Sequence, residues 1–519
     1  MDIGHLLSRS AQRFPDRPAW MTGDQSITYA KAEDRVNRLG NALLEMGAEH
    51  GDRVGMILPN CHEGLEAILA PMRVGMTVVP MNVRLHPREH QYLLEDSGAT
   101  ILIYSHEFRD HVAQIRETLG SIRHFICVGG SGGGDIGYET LLQSSSFEQP
   151  NIHIEQDDVA WIFYTSGTTG HPKGAMLTHR NLMTMVEAFL TDINSANPDD
   201  VLLHAAPITH GSGLMVFHHL ARGAASAFPT AKNFDPPSIF KAIQKYKVTT
   251  MFVAPTMINI MLASPERHNY DISSLHTVVY GGGPMYTEHI QEALEGFGCI
   301  FVQIFGQGES PMTITTLPKE EHRVGNDPIG LQRLASAGRE VTGVRVRIVD
   351  DDDKEVSVGE LGEIAVRSDL VMKGYWNRPD ATAETLKGGW LHTGDLGYVD
   401  SDGYLFITDR KKDMIISGGA NIYPREVEEI IAQHPSVFEV AVIGVPDVMW
   451  GESVKALVVV REGCYVNEEA VIEYCKERLG SYKKPKSVEF LPGLPKNAYG
   501  KILKRDLREK YWIGKDKKV

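Results

Sequence analysis

The run Thr165-Ser166-Gly167-Thr168-Thr169-Gly170-His171-Pro172-Lys173-Gly174 gathers hydroxyls, glycines and a lysine directly after the apolar stretch Trp161-Ile162-Phe163-Tyr164. That combination suits a polyphosphate. Glycines let backbone N–H groups approach phosphate oxygens, hydroxyls add donors, and the lysine neutralises charge. It is not the Walker A pattern GxxxxGK[ST], because His171 and Pro172 separate Gly170 from Lys173. A plain Ser/Thr/Gly turn between a strand and a helix is the competing reading, and it explains neither the lysine nor the strand that leads into the loop.

Four more runs carry chemistry-bearing side chains: Phe305-Gly306-Gln307-Gly308-Glu309, Trp390-Leu391-His392-Thr393-Gly394-Asp395, Asp409 to Gly419, and Pro495 to Lys501. Glu309 offers a hard oxygen ligand of the kind magnesium takes alongside phosphates and water. Asp395 has the carboxylate that can accept hydrogen bonds from both ribose hydroxyls. Lys501 carries an ammonium whose ordinary pKa of about 10.4 keeps it charged at neutral pH. Alone, each has a bland reading: a solvated loop acid, a Gly-Asp turn, or a basic residue on a solvated helix face, which is the reading adopted for Lys504 and Arg505.

Taken together and in this order, the five runs resemble the acyl-adenylate-forming (AMP-binding) superfamily, which includes acyl-CoA synthetases, luciferases and peptide-synthetase adenylation domains. The resemblance spans nearly the whole chain and is strongest to the fatty-acyl-CoA synthetases, with aryl-CoA ligases next. It implies ATP, Mg2+ and coenzyme A as reactants. Carboxylate and ATP would give acyl-adenylate and pyrophosphate, and the thiol would then displace AMP.

The resemblance also implies residue roles. ATP would meet Thr165, Ser166, Gly167, Thr168, Thr169, Gly170, Lys173, Gly283, Phe305, Gly306, Asp395, Arg410 and Lys501, with Thr165 and Glu309 on the metal. Lys501, Lys173, Glu309 and His210 would carry catalysis, and Lys412 would be a hinge. Ser417, Gly418 and Gly419 would line the coenzyme A arm, and His210, Gly282, Met285, Pro311 and Met312 the acyl pocket. One departure stands out: the family commonly has threonine before the glutamate, and this chain has Gly308, with Ser310 or a backbone N–H as the expected stand-in donor.

The resemblance also implies that an amino-acid activator would carry an acid near this pocket to pair the substrate ammonium; Thr209-His210-Gly211 offers none, which favours an unsubstituted carboxylic acid. A fatty acid is the leading expectation and an aryl or alicyclic acid the alternative. A carrier-protein thiol is the alternative acceptor. A nucleotide sensor without chemistry is disfavoured by the retention of Lys173, Glu309, Asp395 and Lys501.

Such residues need a scaffold, and the chain alternates amphipathic helical stretches with short apolar runs: Val54–Leu58, Val78-Val79, Ala99–Tyr104, Phe125–Val128, Val248–Val253 and Thr277–Tyr280. That alternation predicts an α/β fold of parallel, helix-covered sheets. From about residue 335 to 409 the texture becomes β-rich, with turn signals, and helix and strand alternate again beyond it. The expected organisation is an N-terminal domain over 1–409, a hinge over 410–414 and a small, mobile α+β C-terminal lid over 415–519.

Composition narrows the classes. The 519 residues carry 52 Lys+Arg against 67 Asp+Glu, a formal net charge of −15, which argues against nucleic acid as a partner. With 42% hydrophobic and 23% charged residues, the chain is globular rather than disordered, and too long for a single core. Five scattered cysteines show no disulfide or zinc spacing and point to a reduced compartment. Neither a secretory leader nor an apolar stretch approaching about 20 residues is evident. A cytoplasmic homodimer with room for peripheral membrane contact is the expectation.

Overall fold

The computed structural model describes residues 2–165, 172–325, 327–418, 420–497 and 501–513. Among these, strands form four sheets flanked by helices, the mixed α/β architecture that the alternation implies.

The first sheet has seven strands, in the spatial order Ile136–Gly137, His124–Val128, Ile101–Ser105, Arg53–Ile57, Thr77–Pro80, Val159–Thr165 and Lys173–Thr178. Every neighbouring pair is parallel except the last. The strand Ile101–Ser105 is buried along its whole length, because helices cover both faces and no polar side chain has water to meet. The second sheet has nine strands. Its centre, Phe301–Phe305, Thr277–Tyr280, Thr250–Val253, Val201–Leu203 and Ala225–Phe228, is parallel. The hairpin Pro18–Thr22 and Gln25–Thr28 closes one edge. This hairpin lies ahead of Val54–Leu58, where the apolar alternation of the sequence first predicts a strand.

The third sheet is a four-stranded antiparallel ribbon of Arg345–Val349, Gly362–Arg367, Leu391–Val399 and Leu405–Arg410. The fourth joins Ala420–Ile422, Ile415–Ser417, Gly451–Val460 and Val437–Asp447, and Ser487–Phe490 adds to Gly451–Val460 in parallel. Its core includes Tyr286, which comes from the loop after Thr277–Tyr280 in the second sheet. There the Tyr286 hydroxyl donates to Glu428 Oε2 at 3.2 Å, and Arg461 pairs with Glu292 at 2.8 Å.

One expectation is overturned here. Lys504 does not lie on a solvated helix face: its side chain is 20% exposed and its ammonium sits 2.7 Å from the buried Glu428 carboxylate. Burial works against that charge, but Asp409 and Glu428 outweigh it and hold the Lys504 pKa above its ordinary value. Arg505, one position on, is exposed as expected.

Candidate active site

A chamber of about 710 Å³ opens where the two large sheets, the antiparallel ribbon and the Lys501 segment converge. The strand Val159–Thr165 runs into it, and its antiparallel partner Lys173–Thr178 leaves it, with Thr165 and Lys173 in register. Residues 166–171, which include the expected phosphate contacts Ser166, Gly167, Thr168, Thr169 and Gly170, lie outside the described residues, as does Gly419.

Thr165 Oγ1 donates to Glu309 Oε1 at 3.0 Å, so the two residues expected to share a metal already meet. Tyr375 also donates to that oxygen, at 2.7 Å, and the Lys173 ammonium lies 5.1 Å from the centre of the Tyr375 ring. Burial and the adjacent Glu309 charge push the Tyr375 phenol well above its usual pKa, so it remains a hydrogen-bond donor. Tyr375 was not singled out from the sequence. The Gly374-Tyr375-Trp376-Asn377-Arg378-Pro379 turn was the available signal.

The segment after Phe301–Phe305 is tightly constrained. A β-carbon on Gly306 would come within 2.6 Å of the Met312 backbone, and Met312 itself adopts φ +62°, a left-handed conformation unusual for its side chain. A β-carbon on Gly308 would lie 2.4 Å from Thr165 Cγ2 and 2.7 Å from Phe163 Cδ1. Neighbouring side chains therefore fill the space a threonine would need. Ser310 is no stand-in: it is fully buried and does not line the chamber.

Asp395 lies on Leu391–Val399 opposite Arg410. Its carboxylate accepts from Gln307 Nε2 at 2.6 Å and pairs with Arg410 at 3.2 Å. Gln307 is a second residue missed from the sequence. Lys501 lines the chamber, and its backbone N–H donates to Asn497 Oδ1 at 2.9 Å. Burial, followed by the Arg410 charge, lowers its pKa to about 8. His210, its ring centre 4.7 Å from that of Phe163, is brought down to about 4 by burial and by Lys501, so its imidazole is neutral at pH 7.

The structure thus gathers Thr165, Lys173, His210, Gly282, Gly306, Glu309, Met312, Arg410 and Lys501 around one space. Phe305, Gly283 and Asp395 adjoin residues of that lining without belonging to it. Met285 and Pro311, expected as pocket walls, are buried outside it, Met285 in the core packed around Thr250–Val253 and Thr277–Tyr280. Lys412 stands apart from the lining, its pKa lowered by burial and then by Arg410. Ser417 and Gly418 also lie away from the chamber. The Gly418 N–H donates to the Trp450 carbonyl at 2.8 Å, and at φ +59° a β-carbon there would strike the indole.

A convergence of two α/β sheets, a β-ribbon and a lysine-bearing C-terminal segment on one chamber that holds Lys173, Glu309, Arg410 and Lys501 defines the adenylate-forming class. The family model described as AMP-binding enzyme matches residues 7–376, and that described as AMP-binding enzyme C-terminal domain matches 426–501. This chain belongs to the AMP-binding enzyme family and is an ATP-dependent acyl-CoA ligase, an acid–thiol ligase of the AMP-forming kind. A feruloyl-CoA synthase of an Amycolatopsis species is 38% identical over 511 residues, covering 98% of this chain and 99% of its own. A medium/long-chain-fatty-acid–CoA ligase of Mycobacterium tuberculosis is 34% identical over 535 residues, covering 99% and 91%. The solved anthranilate CoA ligase in complex with anthranoyl-AMP superposes with TM-score 0.90 at 27% identity, covering 99% of this chain and 98% of that one.

Proposed function

We propose that the chain joins a compact, apolar carboxylic acid to coenzyme A in two steps within this chamber, with aryl acids favoured over long-chain fatty acids. The observation that carries the reading is the meeting of Lys173, Glu309, His210 and Lys501 around one space. Carboxylate and α-phosphate are both anions, so their approach needs fixed cations and oriented donors. The ammonium groups of Lys501 and Lys173 supply the positive charge. Neutral His210 borders the apolar end, where it orients the acid without adding charge. Asp395, held by Gln307 and Arg410 next to the lining residue Gly394, is the group assigned to ribose, which it would meet by exchanging those partners.

The Glu309 carboxylate and the Thr165 hydroxyl are hard oxygen donors 3.0 Å apart, a set that fits Mg2+. Bound there with the phosphates, the ion would neutralise charge on the triphosphate.

The aryl preference over the fatty acid favoured by motif texture rests on size and lining. A volume of about 710 Å³ must take the nucleotide as well as the acid, and the apolar end is walled by Phe163, Pro207, Leu214, Phe252, Ile304 and Met312. Pockets of about 300–1,000 Å³ ordinarily serve one drug-sized ligand, which leaves this one short of room for a long chain.

The test is pyrophosphate release with Mg·ATP and short, medium, long and aryl acids, each with and without coenzyme A. The reading expects aryl or short acids to lead and thioester and AMP to appear together. A preference for long chains would overturn the size argument, and release stalling near one equivalent with coenzyme A would point to a carrier-protein acceptor. Lys501→Ala is expected to retain ATP binding and lose pyrophosphate release.

A further inference from the structure

One buried carboxylate outside the chamber ties together two of the segments that build it. Asp96 lies near the end of the helix Pro87–Ser97, its side chain 8% exposed. Its Oδ2 accepts from the Tyr164 hydroxyl at 2.8 Å, and its Oδ1 accepts from Arg378 Nη2 at 2.6 Å. Its backbone carbonyl accepts from Trp376 Nε1 at 3.1 Å.

Those partners are neighbours of the site. Tyr164 directly precedes Thr165, and Trp376 directly follows Tyr375; Thr165 and Tyr375 are the two hydroxyl donors to Glu309 Oε1. One helical turn back, Tyr92 donates to the Pro172 carbonyl at 3.0 Å, immediately before Lys173. Residues four apart share a helix face, so one face grips the stems that carry Thr165, Lys173 and Tyr375.

We propose that Asp96 is a positioning residue for acyl-adenylate formation: it fixes where Thr165 and Tyr375 stand, and through them Glu309, without touching substrate. The proposal rests on the reading of the chamber as the adenylation site. The physical basis is that a buried carboxylate accepting charge-assisted hydrogen bonds holds its partners more firmly than neutral pairs do. Displacement of site groups by about 1 Å can cost about 100-fold in rate.

The test uses the full chain, wild type against Asp96→Asn, which keeps the shape and removes the charge. Four quantities are read: ATP Kd by calorimetry without added metal, kcat and KM for pyrophosphate release, thioester formation from pre-formed acyl-adenylate, and Tm. Expected are adenylation slower by about 10- to 100-fold, weaker ATP binding, and little change in acid KM, thioester formation or Tm. Arg378→Ala breaks the same tie from a half-exposed side chain, with Tm read beside it, and it should give the same selective loss of adenylation over thioester formation, partly restored in Arg378→Lys. Unimpaired adenylation in either loss variant, or equal falls in both half-reactions, overturns the proposal. A wild type silent with every acid removes the functional reading and the proposal with it, whereas an active wild type with unimpaired variants removes the proposal alone.

Discussion

The Tyr375 hydroxyl stands 2.7 Å from Glu309 Oε1, the oxygen that Thr165 Oγ1 meets at 3.0 Å. Two donors on one oxygen fix the orientation of the carboxylate. Removing a hydrogen bond to a charged group costs about 1.5–3 kcal/mol. Tyr375→Phe is therefore expected to slow pyrophosphate release by about 10- to 150-fold while leaving Tm within a few degrees. An unchanged kcat would mean that Thr165 alone suffices to orient Glu309.

Thr165 and Phe163 leave no room for a threonine at position 308, since a β-carbon on Gly308 would come within 2.4 Å of Thr165 Cγ2 and 2.7 Å of the Phe163 ring. Overpacking typically costs about 1–3 kcal/mol. Gly308→Thr alone should lower both Tm and kcat/KM for ATP, and pairing it with Thr165→Ser, which removes the Cγ2 atom 2.4 Å away and keeps the hydroxyl, should recover part of the loss. Equal losses in the single and double variants would contradict the steric account.

Burial lowers the Lys501 pKa to about 8, with the Arg410 charge adding to the effect. The ammonium is the form that can face two anions, so activity is present below pH 8 and lost as pH rises through it. The profile of kcat/KM for adenylation should fall about ten-fold per unit on that side, because it reports groups of the free enzyme. Lys501→Arg, which stays charged, should keep whatever activity it has flat to pH 9. His210, lowered to about 4, should contribute no limb near pH 6.5. A descending limb retained in Lys501→Arg would assign it to another group.

Lys504 and Arg505 are adjacent basic residues with different surroundings. Lys504→Ala leaves the Glu428 carboxylate, 2% exposed, without the ammonium 2.7 Å away. Breaking one partner of a buried pair costs about 3–5 kcal/mol. Arg505→Ala, on the exposed side, should stay within about 0.5 kcal/mol. Urea unfolding of the two variants checks the contrast, and similar values would return Lys504 to the surface.

Much of the scaffold was legible in the chain. The run Ile101-Leu102-Ile103-Tyr104 is apolar at successive positions because both faces of its strand are covered, and that condition writes itself into local sequence. The lysine, glutamate and glycine motifs were equally readable, since their chemistry depends on residue type and short spacing. Lys504 was misread because its partner Glu428 comes from a different helix, and composition around residue 504 looks like any basic helix start.

By itself, then, the sequence determined the α/β alternation, the class of reaction and the cationic residues that serve it. Only the tertiary structure decided that Tyr375 meets Glu309 across 66 positions, that Gln307 holds Asp395, that Met285 faces a core instead of the acid, and that Asp96 ties Tyr164 to Arg378. The physical reason is that periodicity reports which side of an element avoids water. Which side chains meet across elements depends on strand order and register, and these are fixed by packing of the whole chain.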